Sequence, residues 1–273
     1  MKTFEIGAKK TRVFFLHGLR GHGLAQQAAL QHIVKNLGVS LTSLEMDGHG
    51  EESKVRNCLV PKYKKTVGDI CQLVKRHTIE AEQVIVMGYS FGASLMILAA
   101  KALEEDQSFA PKVAAIVGIS SAFSVGHNVP NWQLSLSSAI GPVSRYLFEK
   151  ASRFSPMLTI HEMNLDRISA DPSVLRAVEN DPLIYKGRIP LATSAQVYKA
   201  GVAASKVLHR LDIPTLLLHS RDDTIALAPE PSEYGSHVNL HLFDNLRHNC
   251  IDGLSREVVT ARKTIINFIV DKL

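Results

Sequence analysis

The sequence Gly-Tyr-Ser-Phe-Gly at residues 88–92 decides the interpretation of this chain, because it places Ser90 between two glycines at the end of an apolar run. The preceding residues Val84–Met87 are typical of a buried strand, and the Ala- and Leu-rich residues 93–103 are typical of a helix. A sharp turn from strand to helix holds the serine in a strained backbone conformation, and glycines let the two elements approach closely. The motif therefore predicts a nucleophile elbow, with Ser90 Oγ above a sheet and near the positive end of a helix.

Strand-like and helix-like segments alternate on both sides of this motif, which favours an α/β fold with a mainly parallel sheet flanked by helices. Short apolar runs predict strands at residues 11–16, 39–46, 84–87, 113–119, 213–219 and 238–243. Apolar residues at helical spacing predict helices at residues 25–37, 66–78 and 255–270.

The alternation stops between about residues 121 and 208, where no strand pattern is found and prolines separate helix-compatible stretches. These stretches are residues 132–138, 142–151, 172–180 and 192–207. An insertion of this size between two sheet strands is best explained as a helical cap. We therefore expect residues 1–122 and 208–273 to form the core, and residues 123–207 to form the cap.

Composition limits the classes of protein and partner to be considered. The 273 residues are 45% hydrophobic and 21% charged, as in a soluble globular protein. The net charge of +5 does not by itself indicate a nucleic-acid partner, and no basic helix or aromatic-basic motif supports one. Residues 121–210 hold ten Lys/Arg and six Asp/Glu, an excess of four positive charges that favours anionic interfaces or acidic substrates.

Cysteine content and the length of the apolar runs bear on location. The odd, sparse set of Cys58, Cys71 and Cys250 favours a reducing environment over a disulfide framework. The first apolar run, residues 13–16, is too short for a signal peptide, and no segment approaches the roughly 18 apolar residues of a membrane span. We therefore expect a cytoplasmic protein with at most peripheral membrane contact.

A serine nucleophile needs a base, and the base needs an acid to orient it. The strand predicted at 213–219 runs into a loop with Asp222 and Asp223, and the strand at 238–243 runs into a loop with His248. Serine, acid and histidine then follow in the chain order of a triad built at strand ends. Asp223 is favoured because it occupies the last position of a small-x-x-Asp stretch, and Asp222 remains the alternative.

A loop rich in glycine, His-Gly-Leu-Arg-Gly-His-Gly at residues 17–23, follows the first predicted strand. An oxyanion needs two preorganised backbone N–H donors. We expect them from Phe91, which follows the nucleophile, and from Leu19 in this loop. The glycine-rich turn at residues 47–50 is expected to support the loop.

Two other interpretations of the 17–23 loop are rejected. Its glycines stand in the wrong order for a dinucleotide fingerprint, and no Gly-Lys-Ser/Thr follows as in a phosphate-binding loop. A metal site is disfavoured because the spacing of the candidate ligands matches no zinc motif; these ligands are His17, His22, Asp47 and His49.

Together these motifs resemble the α/β-hydrolase superfamily, and within it the monoacylglycerol lipase and lysophospholipase group of serine hydrolases. The likeness spans most of the chain and rests on the elbow, His17-Gly18, the 47–50 turn, and the loops of Asp223 and His248. The stretch Asn-Asp-Pro-Leu-Ile-Tyr at residues 180–185 is similar to the end of the cap in that group.

The chain departs from the group at four places. Ser220 and Arg247 stand where glycine is usual. The segment before His17 is short, so that the usual first strands are expected to be reduced or absent. Residues 57–65 have no recognised counterpart. These departures bear on the substrate more than on the triad.

The resemblance implies a carboxylic ester hydrolase that works through an acyl-enzyme and needs no cofactor or metal. Ser90 would attack the ester carbonyl, His248 would take its proton, and Asp223 would orient the histidine. The implied substrate is a lipid-like, amphiphilic monoester, such as a monoacylglycerol or a lysophospholipid. The candidate substrate-binding residues are His17, Gly18, Tyr89, Trp132 and Tyr146.

Apolar residues of the predicted cap have two open interpretations. They line an acyl channel or a lipid-facing surface, or they pack the cap onto the core. The first implies transient contact of the cap with a micelle or membrane surface. The residues are Trp132, Leu134, Leu136, Ile140, Val143, Tyr146, Leu147 and Phe148.

Other functions on the same fold also remain open. One is a short-chain ester or thioester hydrolase of a soluble metabolite, which acyl-chain preference would distinguish from a lipid esterase. Another is a binding or receptor protein that retains the triad but turns over very slowly, which the turnover number would reveal. Ser90 argues against dehalogenases and epoxide hydrolases, for which the resemblance implies Asp at the elbow.

Overall fold

The computed structural model describes residues 1–6, 10–78, 83–123, 159–161, 164–230 and 234–273. Its strands fall into one seven-stranded and one two-stranded sheet. They are β1 (Lys2–Ile6), β2 (Thr11–Leu16), β3 (Ser40–Glu45), β4 (Gln83–Tyr89), β5 (Lys112–Ile119), β6 (Thr159–His161), β7 (Ile189–Pro190), β8 (Thr215–Ser220) and β9 (Val238–Phe243).

The large sheet has the order β1-β3-β2-β4-β5-β8-β9 and is parallel except for β1, which pairs antiparallel with β3 at one edge. This confirms the predicted α/β-hydrolase fold with a mainly parallel sheet. A single five-residue strand, β1, precedes β2, which agrees with the expectation that the first strands are reduced or absent. An edge strand is not covered on both faces, so its sequence lacks the apolar run that predicted the inner strands.

Helices flank both faces of the sheet. They are α1 (Gln27–Leu37), α2 (Ser53–Arg56), α3 (Tyr63–Arg76), α4 (Phe91–Glu104), α5 (Pro172–Asn180), α6 (Leu191–Leu208) and α7 (Arg256–Val270). Their ends follow ordinary capping chemistry: α1 stops at Gly38, whose φ is +63°, and Ser255 accepts a hydrogen bond from Val258 N at the start of α7. None of the described helices is long and apolar enough to cross a membrane.

The core lies on both faces because successive side chains of a strand point in opposite directions. In β2, Phe14 and Leu16 pack with residues of α3, α4 and α6, whereas Val13 and Phe15 pack with residues of α1 and α7. All four side chains are fully buried. This two-sided burial explains the continuous apolar runs of the inner strands.

The segment between β5 and β8 differs from the prediction in two respects. It contains two short strands, β6 and β7, which pair antiparallel and are too short to show a sequence pattern. In addition, α6 packs against α4 in the core, and a Cβ added at Gly201 would lie 2.0 Å from Ala122 O. Helix α6 therefore lies with the core layers, and the cap boundaries at 123 and 207 stay a prediction. The helices predicted at 132–138 and 142–151 lie outside the described residues.

The topology brings the candidate residues to one edge of the sheet. Parallel strands present their carboxyl ends on the same side, which is where α/β proteins place their sites. His17 follows β2, Ser90 follows β4 and Ser120 follows β5. Asp223 and His248 lie in the loops after β8 and β9.

Candidate active site

The turn around Ser90 has the strained geometry that the motif predicts. Ser90 has φ 56° and ψ −122°, and a positive φ of this kind is rarely adopted by residues other than glycine. Its backbone N–H donates to Ile119 O at 2.8 Å. A Cβ at Gly92 would lie 2.2 Å from His17 O, and one at Gly88 would lie 2.6 Å from Ala93 Cα. Only glycine fits at both positions, which explains the glycine-x-serine-x-glycine spacing.

The acid and the histidine meet in the interior. His248 Nδ1 lies 2.7 Å from Asp223 Oδ2, and both side chains are buried. Asp223 Oδ1 accepts hydrogen bonds from the backbone N–H groups of Ile225 and Ala226 at 2.8 and 3.0 Å. Burial alone would raise the pKa of Asp223, but the charge and hydrogen bond of His248 with these donors hold it below its ordinary value. The carboxylate therefore accepts from Nδ1–H, which leaves Nε2 of His248 as a base.

Asp222 lies elsewhere, although it is adjacent in sequence. It is exposed, and its Oδ2 accepts a hydrogen bond from Asn245 N at 2.8 Å. This contact joins the loop after β8 to the loop after β9. The structure thus pairs Asp223 with His248 and gives Asp222 a contact that braces the two loops.

Residues behind His248 fix its loop. Ser120 Oγ donates to His248 O at 2.6 Å and lies 3.4 Å from Cys250 Sγ. The ring of Tyr89 lies 5.1 Å from that of His248, measured between centroids. Burial raises the pKa of Tyr89 far above its usual range and that of Cys250 to about 12, so that both stay protonated. Tyr89 and Cys250 therefore present uncharged groups to His248, and Asp223 is its charged neighbour.

His17 shapes the predicted oxyanion loop from inside the protein. Its Nε2 accepts from Met46 N at 3.1 Å, so Nδ1 carries the proton and donates to Gly18 O at 2.7 Å. Burial and the nearby His49 lower the pKa of His17 well below its usual value, which keeps the ring neutral. Because the side chain is fully buried and both nitrogens are occupied, His17 offers no hydrogen bond to a substrate. Its side chain therefore supports the loop from within, and its predicted role in substrate binding stays a prediction.

Gly18 brings the loop against the nucleophile. A Cβ at this position would lie 3.0 Å from Ser90 Cβ and 3.0 Å from Tyr89 Cδ1. Leu19, the next residue, is half-buried and packs against the core, and Phe91 is fully buried at the start of α4. The loop of Leu19 and the residue after Ser90 therefore lie next to the nucleophile. Trp132 and Tyr146, also predicted to bind substrate, lie outside the described residues.

The turn at 47–50 lies against this loop. The rings of His17 and His49 are 5.2 Å apart between centroids, and burial lowers the pKa of His49 to about 4. Glu45, at the end of β3, accepts from Gly23 N at 3.2 Å, and Ser43 Oγ donates to Gly23 O at 2.5 Å. The loop is thus held from β3 by the Glu45 and Ser43 side chains, and from the 47–50 turn by the neutral ring of His49.

The family of the chain is shown by comparison with known proteins. Residues 7–252, most of its length, match the serine aminopeptidase S33 family. The chain belongs to that family.

Relatives of this S33-family hydrolase include lipases. The monoglyceride lipase homolog of Monkeypox virus is 22% identical over 263 residues, which cover 94% of this chain and 87% of that protein. The crystal structure of Paleococcus ferrophilus monoacylglycerol lipase aligns over 100% of this chain and 99% of that one, with 18% identity and a TM-score of 0.79. A soluble variant of monoglyceride lipase from Saccharomyces cerevisiae, solved with a substrate analog, aligns over 98% and 89%, with 16% identity and a TM-score of 0.75.

These findings confirm the resemblance to monoacylglycerol lipase-like serine hydrolases, and with it the prediction of a carboxylic ester hydrolase. The two structures, each under 25% identical, bear on the fold alone.

In this hydrolase the 17–23 loop, predicted to supply an oxyanion donor, has a second attachment that sequence reasoning missed. His22 Nε2 lies 2.9 Å from Asp181 Oδ2, and Asp181 Oδ1 accepts from Leu183 N at 2.8 Å. Arg20 donates to the carbonyl oxygens of Tyr185 and Gly187, while Tyr185 N donates to Arg20 O at 2.9 Å. These contacts tie the loop to the residues between α5 and β7. The Asn-Asp-Pro stretch was the available signal, but its partner in the loop was not predictable.

The acid and histidine loops of the hydrolase have a comparable attachment. Arg167 donates through Nε to Thr224 Oγ1 at 2.9 Å and through its terminal nitrogen to Thr224 O. Its own carbonyl accepts from His248 N at 3.4 Å, and Ile168 O accepts from Asn249 N at 2.7 Å. No sequence signal marks these contacts, because a lone arginine in an irregular segment is usually solvated. We refer to residues 164–188 as the bridging segment.

Proposed function

We propose that the chain hydrolyses lipid-like monoesters, of the monoacylglycerol type, through an acyl-enzyme on Ser90. The observation that carries the proposal is the buried Asp223–His248 hydrogen bond at the sheet edge that also presents Ser90 in a strained turn. Serine hydrolysis needs a nucleophile, a base and an orienting acid on adjoining loops. Neither a metal nor an organic cofactor takes part in the proposed steps.

In the acylation step, Ser90 Oγ attacks the ester carbonyl while His248 Nε2 takes the hydroxyl proton. Asp223 remains a carboxylate, since its pKa is held below the ordinary value, and stabilises the imidazolium that forms. The backbone N–H groups of Leu19 and Phe91 donate to the oxyanion. Each such donor is worth about 3–4 kcal/mol of transition-state stabilisation in serine hydrolases.

Collapse of the tetrahedral intermediate releases the alcohol, which takes its proton from His248. The histidine then removes a proton from water, which attacks the acyl-enzyme, and the same two N–H groups hold the second oxyanion. Release of the carboxylic acid restores Ser90 and neutral His248. Both half-reactions therefore use one base, one acid and one oxyanion site.

The substrate class is supported by the relatives and by the charge of the chain. The Monkeypox virus relative is named a monoglyceride lipase homolog. The excess of four positive charges between residues 121 and 210 suits an amphiphile with an anionic group, such as a lysophospholipid, or an anionic lipid surface. We propose that the cap predicted at residues 123–207 contacts the acyl chain and the micelle through residues that precede α6.

The proposal is tested by labelling and by chain-length preference. Intact-mass labelling with a fluorophosphonate is expected to add one adduct to the wild type and none to Ser90→Ala. Turnover of p-nitrophenyl esters from two to sixteen carbons, followed by monoacylglycerols and lysophospholipids, is expected to favour medium or long chains. Absence of labelling would overturn the assignment of Ser90 as the nucleophile.

The same experiment separates the other two functions. Labelling with a preference for the shortest esters would indicate a hydrolase of soluble metabolites. Complete labelling, together with ester turnover far below about 1 s⁻¹ in separate assays, would indicate a receptor-like protein, because about 1 s⁻¹ is the low end for enzymes.

A further inference from the structure

A second histidine lies beside the acid and has no part in the steps above. His219, on β8, is fully buried. Burial lowers its pKa to about 4, against the opposing effect of Asp223, so that the ring is neutral at physiological pH. A neutral, buried histidine next to a carboxylate is unusual for a core position, because an apolar side chain would pack there without desolvating two nitrogens.

The contacts of His219 define its tautomer. Nε2 lies 3.2 Å from the backbone oxygen of Ala226 and 3.7 Å from Asp223 Oδ2. Both are acceptors, so that Nε2 carries the proton. Among the described residues, Nδ1 finds no hydrogen-bond partner although it is buried. An unpaired buried nitrogen costs about 1–3 kcal/mol, which the Nε2 contacts must offset.

The contacts of Asp223 and His219 meet on the same residue. Asp223 Oδ1 accepts from Ala226 N, and His219 Nε2–H donates to Ala226 O. The turn from 223 to 226 is therefore closed from both sides. Meanwhile Oδ2 of Asp223 faces two imidazoles, His248 at 2.7 Å and His219 at 3.7 Å. Tyr89 and Cys250 also lie close enough to this carboxylate for its charge to raise their pKa values, and both therefore stay protonated.

We propose that His219 is a positioning residue, which acts through its Nε2–H to hold the turn and the Asp223 carboxylate in the orientation that His248 requires. This inference rests on the proposed hydrolysis. A neutral ring suits the role, because it supplies a donor without a second positive charge that would compete with His248 for Oδ2. Loss of the donor lets the turn relax and the carboxylate rotate.

The test uses the different positions of the two amide nitrogens. The side-chain N–H₂ of glutamine lies near the position of histidine Nε2, whereas that of asparagine lies near Nδ1. His219→Gln is expected to stay within about threefold of wild type in kcat and in the rate of fluorophosphonate labelling. His219→Asn and His219→Phe are expected to lose about 10- to 100-fold in both, as small misplacements of catalytic groups do, with KM within about twofold.

The pH profile distinguishes positioning from packing. When Asp223 is misplaced it stabilises the imidazolium less, and the acid limb of kcat for His219→Asn is expected to move to lower pH. His237 supplies the matched control, since its Nε2 donates to Leu208 O at 2.7 Å and this contact is away from the site. His237→Asn and His237→Phe are expected to lower the melting temperature with the acid limb unchanged.

Three results decide the outcome. If His219→Asn keeps wild-type kcat and an unmoved acid limb, the positioning role is wrong. If His219→Gln falls as far as His219→Phe, the Nε2–H is not the operative group and the proposal is also overturned. Wild type that takes up no fluorophosphonate would defeat the proposed function itself, whereas labelled wild type with an unchanged asparagine variant defeats only this inference.

Discussion

The active site is held by two sets of contacts, one from the sheet and one from the bridging segment 164–188. The sheet set consists of buried groups at strand ends, such as Ser120 on the His248 carbonyl and Met46 N on His17. The bridging set uses charged side chains that are partly exposed, namely Arg167 on Thr224 and Asp181 on His22. The comparison suggests that the sheet fixes which groups react, while the bridging segment adjusts how well they align.

Among the sheet contacts, loss of the carboxylate of Asp223 is expected to have the largest effect on kcat. Asp223→Asn is expected to lower kcat by about 10⁴-fold, because an amide favours the wrong tautomer of His248. Asp222→Asn, its matched control, should stay within about threefold, since it loses only a contact to a backbone N–H at the surface. Steady-state kinetics on one ester measures both. Equal losses in the two variants would contradict the assignment.

The second-largest effect on kcat is expected from disturbing the close packing next to Ser90. Gly18→Ala should lower kcat about 100-fold, since its Cβ would press on Ser90 and Tyr89 at 3.0 Å and displace the oxyanion loop. Gly68→Ala is the control, because nothing lies within 4 Å of its Cβ inside α3. That variant should gain up to about 1 kcal/mol in stability. Urea unfolding measures the stability of both variants, and the rate of fluorophosphonate labelling measures the reactivity of Ser90. A fully active Gly18→Ala would contradict the position of the loop next to Ser90.

Lowering the pH is expected to reduce the stabilisation from the sheet contacts before that from the bridging contacts. Burial lowers the pKa of His17 well below its ordinary value and that of His49 to about 4. Unfolded histidine titrates near pH ~6.5, so below this pH the unfolded chain takes up protons that the folded protein does not. Stability should therefore fall as pH drops from about 6.5 toward 4, by up to about 1.4 kcal/mol per pH unit for each histidine.

The stabilising contribution of the bridging contacts should be retained to lower pH than that of the sheet contacts. Burial alone raises the pKa of Asp181, but its hydrogen bond to His22 lowers it on balance, so its stabilisation is lost only as pH falls through this lowered pKa. Urea unfolding at a series of pH values measures the slope. His49→Gln should reduce it between pH 6.5 and 4. A slope unchanged by this substitution would contradict the role assigned to neutral rings.

The smallest effect is expected from the bridging set alone. Asp181→Asn should lower kcat about tenfold or less with little change in KM, because the oxyanion loop keeps its contacts to β3. His22→Asn should give a similar loss. The double variant should be no worse than either single one, since both remove the same contact. Losses that multiply in the double variant would show that the two residues act separately.

Much of the fold was predictable because strand ends and the elbow are local features of the sequence. Residues 84–90 carry both the buried run and the strained serine, and the order of Ser90, Asp223 and His248 follows from parallel topology. The choice of Asp223 over Asp222 rested on spacing, and the structure places Asp223 against His248.

What sequence reasoning missed has a common cause. Strands β1, β6 and β7 are short or at an edge, so no apolar run marks them. The contacts of His22 and Arg167 join residues separated by 159 and 57 positions, and neither partner has a recognisable motif. His219 resembled an ordinary strand residue, because a polar side chain in a parallel strand reveals its purpose only when its neighbours are known.

The bridging segment has a consequence for protein engineering. Within 25 consecutive residues the chain contacts the loops of Leu19, Asp223 and His248, and this stretch lies inside the predicted cap, after its residues 123–163. A chimera that takes a foreign cap to change substrate range therefore has a natural junction on the N-terminal side of residue 164. A junction inside the segment would replace some of its contacts with foreign residues that fit another enzyme's loops. The chimera would then have a lower kcat even where the new pocket accepts the substrate.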